Sequence, residues 1–252
     1  MRAKLTGDTD AARFAAQLLL IGNGNLPHVG DNYEVAIPED LGTRITSLND
    51  LIDAVYPNLL ENMHDLNWLK DRAILAAKNT TVTKINKILI DRTAGQGRVY
   101  RSFDSPTDPE NFVSFPPEVL NSLEVPGLPP HILELKIGTP VVLLRNLDPP
   151  SLVNGTRLVV TRLHNNLVEA KVINGVSAGK IVLIPRIPLI PSDSPIEFKR
   201  VQFPLRVCFA MTINKAQASY IFWVGRIHHN GTNCSPFILI DIFKYANLFK
   251  DI

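Results

Sequence analysis

The stretch LPPHILELKIGTPVVLLRNLDPPSLVNGTRLVV, residues 128–160, decides the fold. From Ile132 onward apolar and polar positions alternate, the period that puts successive side chains on opposite faces of a strand. Asn154-Gly155 then interrupts the run with a dipeptide suited to a tight hairpin turn. The same pattern continues to residue 187, with His164-Asn165-Asn166 and Asn174-Gly175 as further turns. Residues 132–187 therefore read as a small antiparallel β module, barrel-like if closed.

Upstream, prolines crowd positions 106, 109, 116, 117, 126, 129 and 130, which predicts a break in regular structure and a crossing between subdomains. Before that crossing the period changes. Ala11, Phe14, Ala15, Leu18 and Leu19 predict an amphipathic helix over 8–21, with Gly22-Asn23-Gly24 as its closing turn. A second helix is predicted over 47–56, where Asp50 completes a capping-box spacing with Ser47, and a third over 59–69. Residues 72–76 are an apolar run of strand length, and 80–90 return to helical period, with Asn79 or Thr80 as the cap. Helix, strand, helix makes an α/β layer. Downstream of the module, 200–209 is strand-like and 210–217 is expected to be a loop and helix start.

A chain of 252 residues can bury one large core or two modest ones. Its 45% hydrophobic and 20% charged content is that of a globular domain, and a net charge of +2 leaves any basic surface to be local. Two cysteines, Cys208 and Cys234, suit free thiols in a reducing compartment better than a disulfide framework. No stretch reaches the roughly 20 apolar residues of a membrane span.

The search for catalysis is mostly negative. No glycine-rich loop with a following lysine and Ser/Thr is present to cradle a triphosphate. Gly22-Asn23-Gly24 follows a helix instead of a strand and has no lysine behind it. His228, His229 and Cys234 lack a fourth ligand at zinc-like spacing, and adjacent strand side chains diverge, so no metal is expected.

Four segments together carry a resemblance. Met1-Arg2 with Gly7-Asp8, Phe14-Ala15, Leu18-Leu19 and IGNG (21–24) comes first, then RAILAAKNTTVTKIN (72–86). The LPPH to NGTRLVV block (128–160) and IPRIPLIPSDSPIEFKRVQFPLRVCFAMTINKAQ (184–217) follow in the same order. Collinear over nearly all of residues 1–217, they resemble the C-terminal half of the petite-integration-frequency (Pif-type) DNA helicases, most of all their Helitron-like branch. The resemblance implies an α/β fold, a partial RecA-like helicase domain interrupted by a small all-β, SH3-like barrel insertion. The implied layout is domain 2A over 1–115, the 2B insertion over 116–204, and a return to 2A over 205–252 that diverges after 217.

Roles follow only where residues match. Arg2 stands at the family's motif-IV arginine, which reaches the ATP γ-phosphate, or it is simply a frayed second residue. Lys78 and Asn79 stand where a strand end and helix start hold a DNA phosphate, or they serve only the helix cap. Thr212, Asn214 and Lys215 match the run that touches single-stranded DNA, with Gln217 coupled to the nucleotide state; a solvated Lys215 is the plainer reading. Lys136, Arg145 and Arg157 either flank the DNA channel or are surface residues. The partners implied are single-stranded DNA and an N-terminal RecA-like domain 1A. ATP and Mg2+ are cofactors of the full-length family, with none expected for this chain alone.

After Gln217 the likeness fails. Ala218-Ser219-Tyr220 stand where the family continues Gly-Gln-Thr, and no closing Ala-Leu-Ser-Arg motif precedes Ile252. Lacking the P-loop, the Walker B motif and the motif-VI arginine, the chain is expected not to hydrolyse ATP by itself. It reads as the product of a truncated or mis-spliced gene, its last residues packing irregularly or as an amphipathic helix, and with exposed sheet edges. The function implied is a share in a 5′-to-3′ DNA helicase of repair, recombination or telomere maintenance, in the nucleus or the mitochondrion. The rival reading is a non-enzymatic DNA-binding module or an inactive transposon relic.

Overall fold

The computed structural model describes residues 47–76, 78–108, 115–191, 194 and 196–212, with shorter pieces at 43–45, 223–226 and 237–240 and isolated positions between 13 and 35. The chain divides into two compact units: Met1–Pro57 with Asp71–Thr81 and Met211–Ile252, and Asn58–Lys70 with Val82–Ala210.

In the first unit, Arg13, Ala16, Gln17, Leu19 and Leu20 are helical, and the N–H of Asn23 bonds the Leu19 carbonyl at 2.9 Å, the closing turn that the glycines predict. The rest of the helix expected over 8–21 lies outside the described residues. Strands β1 (His28–Val29) and β2 (Glu34–Val35) pair antiparallel. Strand β3 (Thr43–Ile45) precedes helix α1 (Leu48–Val55), whose cap is the one its spacing predicts: the Ser47 hydroxyl accepts from the Asp50 N–H at 3.0 Å. Leu51, Ile52 and Val55 form its buried stripe. Strand β4 (Ile74–Ala76) is buried at every position.

The second unit opens with a correction. Instead of one helix over 59–69 there are two short ones, α2 (Leu59–Asn62) and α3 (Leu66–Lys70). Asp65 causes the break, because its carboxylate accepts from the Asn67 and Trp68 N–H groups at 2.9 and 3.4 Å and so starts a new helix. Helix α4 (Asn79–Arg92) begins in the first unit and continues into this one. Asn79 and Thr80, the residues expected to cap it, are its first two.

The proline-rich crossing is more regular than expected. Strands β5 (Arg98–Arg101) and β6 (Phe103–Pro106) lead up to it, and it contains helix α5 (Pro117–Ser122), which starts on a proline because that position needs no N–H partner. Leu120 of α5 is fully buried with Leu128, Leu189 and Phe198. At roughly 1.5–3 kcal/mol for each large apolar side chain buried, this small core holds the crossing in place.

The β module follows its predicted turns. Strands β7 (Ile132–Leu135), β8 (Pro140–Leu143), β9 (Arg157–Leu163), β10 (Leu167–Val172), β11 (Ile181–Pro185) and β12 (Ile187–Leu189) run in order. Asn154-Gly155 separates β8 from β9, residues 164–166 join β9 to β10, and Asn174-Gly175 follows β10. Gly155 has φ 91° and Gly175 φ 86°, values that a side chain would strain.

Residues 200–209 are not one strand: β13 (Phe198–Gln202) and β14 (Leu205–Val207) are parted by Phe203-Pro204. Proline has no N–H for a ladder, so the run stops there. The sheet order β11-β10-β9-β8-β14 leaves β11 and β14 as edges, so the described residues form an open five-stranded sheet and not the closed barrel expected. A three-stranded sheet, β12-β13-β6, and a pair, β5-β7, complete the unit.

A buried ion pair ties these sheets to α5. The Arg200 guanidinium bonds both Asp104 carboxylate oxygens, the shortest contact 2.7 Å, and donates to the carbonyls of Leu120 and Pro129. Nearby, Tyr100 and Phe203 meet edge to face at 4.9 Å.

Strand β15 (Ala210–Thr212), whose last two residues belong to the first unit, is hydrogen-bonded to β4, so the expected loop begins as strand. Strands β16 (Trp223–Arg226) and β17 (Phe237–Ile240) pair antiparallel, and β17 also pairs with β3. Residues 237–240 are therefore strand, not the helix allowed for; residues 241–252 lie outside the described residues.

Candidate nucleic-acid interface

The first unit holds the described part of the expected site. Lys78 and Asn79 follow buried β4 and open α4, and both are exposed, as is Thr80. The first N–H groups of a helix have no partner within it, and the helix dipole adds partial positive charge there. A phosphate set against this turn would meet backbone donors, the Asn79 amide and the Lys78 ammonium together. Thr212, half-buried, is the last residue of β15, the hydrogen-bonded neighbour of β4. Lys78 and Asn79 thus follow one of two paired strands, and Thr212 ends the other. Arg2, Asn214, Lys215 and Gln217 lie outside the described residues, as do His228, His229 and Cys234.

The cations of the β module are placed otherwise than expected. Arg157 is 2% exposed and donates to the carbonyls of Lys70 and Leu69 at 3.0 and 3.2 Å, closing the C-terminus of α3. It is neither a surface residue nor a channel wall. Lys136 places its ammonium 2.9 Å from the Ile90 carbonyl and 2.8 Å from that of Thr93, at the C-terminal end of α4. Both cations act on helix ends, where carbonyls lack partners. Arg145 is half-exposed. Beside Arg157 lies the Cys208 thiol, a free cysteine whose pKa complete burial pushes up.

Sequence reasoning missed Asn86. It lies in the buried stripe of α4 with Val82, Ile85 and Leu89. Its amide donates to the carbonyls of Val207 and Ala210 at 3.1 and 3.0 Å and accepts from the Ala210 N–H at 2.8 Å. This side chain, with the Cys208 N–H bonded to the Pro140 carbonyl at 2.9 Å, holds the turn from β14 into β15, the strand that ends in Thr212. A polar residue inside an apolar stripe was the available signal.

With this geometry in place, comparison with family models finds a likeness confined to the β module and the crossing before it. A family model described as "DNA helicase Pif1, 2B domain" matches residues 118–163. Over those residues the chain is similar to the 2B domain of Pif1 helicases, the part of the expected resemblance that the match supports. No curated protein matches the chain.

Solved Pif1 helicases are similar to it. Pif1 from Bacteroides in complex with ADP-AlF3 and ssDNA is 21% identical, covering 70% of this chain and 43% of that one, with TM-score 0.46. Pif1 from Candida albicans is 22% identical, covering 66% and 45%, with TM-score 0.44. Bacteroides sp Pif1 in complex with ADP-AlF4 is 18% identical, covering 88% and 44%, with TM-score 0.45. The chain spans less than half the length of these structures. Its mixed helix-and-sheet content with a sheet-rich module is the fold class expected.

Proposed function

We propose that the chain serves as domain 2A with its 2B insertion in a Helitron-like, ATP-dependent, 5′-to-3′ DNA helicase of genome maintenance, acting in the nucleus or the mitochondrion. The carrying observation is the 2B-domain match over residues 118–163. The exposed Lys78–Asn79 helix start that follows β4, and Thr212 at the end of β4's paired strand β15, support a contact to single-stranded DNA through its phosphates. The proposed domain limits are 1–115 and 205–252 for 2A and 116–204 for 2B. Asn214 and Lys215 are proposed to extend the DNA contact, and Arg2 and Gln217 to belong to the nucleotide side. ATP and Mg2+ are assigned to the whole enzyme, in a cleft completed by domain 1A, and no turnover to this chain alone.

Filter binding of single-stranded DNA at several salt concentrations tests this. Phosphate contacts impose a log–log slope of about −0.7 per contact on single strands. Steep salt dependence is expected; no binding at low salt favours the inactive relic instead. ATPase activity of the purified chain above background would overturn the assignment of the nucleotide site to two domains.

A further inference from the structure

Residues 99–104 of the second unit alternate in exposure. Tyr100 and Asp104 are buried, while Val99, Arg101 and Phe103 are exposed. Phe103 is 69% exposed, and Val99 and Ile132 are 53% each. Register extends this outward row across neighbouring strands: Ile132 lies opposite Arg101, Val201 opposite Phe103, and Pro188 opposite Val201. Lys199, two residues before Val201 and also exposed, lies opposite Ser105. It is therefore the diagonal neighbour of Phe103, about 7–8 Å away between strands.

The exposed row along β5 and β6 thus presents an aromatic ring between two cations, Arg101 on the β5-β7 pair and, with Phe103 on the three-stranded sheet, Lys199. A single exposed apolar residue needs no account, but an open ring in a row of apolar neighbours marks a surface for a ligand. The nearby carboxylates do not serve these cations. Asp104 faces inward and is bonded to Arg200, Glu134 is held by Lys87 at 2.8 Å, and Glu197 is 3.5 Å from Thr107. Among the described residues neither Arg101 nor Lys199 is paired with a carboxylate. Lysine is depleted from protein–protein interfaces, whereas an aromatic platform flanked by cations fits a polyanion with flat bases.

We infer that this row is a stacking platform for single-stranded nucleic acid, with a base on Phe103 and flanking phosphates on Arg101 and Lys199. The inference rests on the proposed single-strand binding and adds to it a second contact, in the other unit from Lys78 and Thr212.

The test titrates the full chain with fluorescein-labelled oligothymidylate. F103A is expected to weaken binding by about fivefold or more without changing the salt slope, and F103Y to restore it. R101Q/K199Q should flatten the slope by about 1.4, two phosphates at about 0.7 each. Should F103A be poorly folded, photocrosslinking of bromouracil-substituted oligonucleotide to the unaltered chain decides, with adducts on Phe103 expected and adducts confined to other peptides contrary. Unchanged affinity of a folded F103A, with K78A/T212A weakened, overturns the platform and leaves the function proposed above standing. An unaltered chain that holds no oligonucleotide at low salt overturns both.

Discussion

Asn86 and Ala210 exchange a closed pair of hydrogen bonds, the Asn86 amide giving one at 3.0 Å and taking one at 2.8 Å, although 124 residues separate them. Both partners are buried, so neither bond can be replaced by water.

Asn86→Leu would fit the apolar stripe but strand the Ala210 N–H and two carbonyls. Each buried group left without a partner costs about 1–3 kcal/mol. A loss of a few kcal/mol in urea unfolding is expected, and Asn86→Asp should also destabilise, since it sets a carboxylate oxygen against the Val207 and Ala210 carbonyls in place of their donor. Unchanged stability of Asn86→Leu would show that the turn before β15 does not depend on this residue.

Asp104 and Arg200 have side-chain exposures of 0% and 1%, so removing one partner leaves a buried charge. R200M and D104N are each expected to lose about 3–5 kcal/mol by thermal or chemical denaturation. R200M should lose more, since the carbonyls of Leu120 and Pro129 also lose their donor.

His131 carries a pH dependence. Its Nδ1 lies 2.8 Å from the Ser102 hydroxyl, and burial lowers its pKa below the ordinary 6.5, a shift that the Asp104 charge opposes and Arg200 and Arg101 reinforce. The unfolded chain therefore binds more protons as pH falls through 6.5, and the folded state loses stability on acidification. The melting temperature should fall below that pH, and H131Q should reduce the slope. A slope identical in H131Q would assign it to other groups.

Lys78→Ala should lower the salt slope for oligothymidylate by about 0.7, whereas Thr212→Ala should weaken binding with the slope nearly kept, since a hydroxyl releases no counterion. Gel-shift titrations across salt read both. Equal slopes in Lys78→Ala and the unaltered chain would remove Lys78 from the interface.

What the sequence showed was what local chemistry decides. Ser47 with Asp50, and the glycines at 155 and 175, follow from rules spanning a few residues. The Lys78–Asn79 helix start was legible in the same way. The break at Asp65 was hidden by an apolar pattern that runs on through it, and Pro204 marked a stop that the strand-like composition masked. Arg157 was unreadable as a buried residue because its carbonyl partners lie 87 and 88 residues away. Sheet closure is likewise a matter of distant pairing, and Asn86 shows its purpose only once Ala210 is beside it.

Lys136 sits where α4 ends, and Lys78 and Asn79 where it starts. The carbonyls at one end are met by Lys136, and the polar groups at the other end are left exposed. Anchoring this helix and using it to grip an anion are separable tasks, open to change one at a time by mutation or by selection.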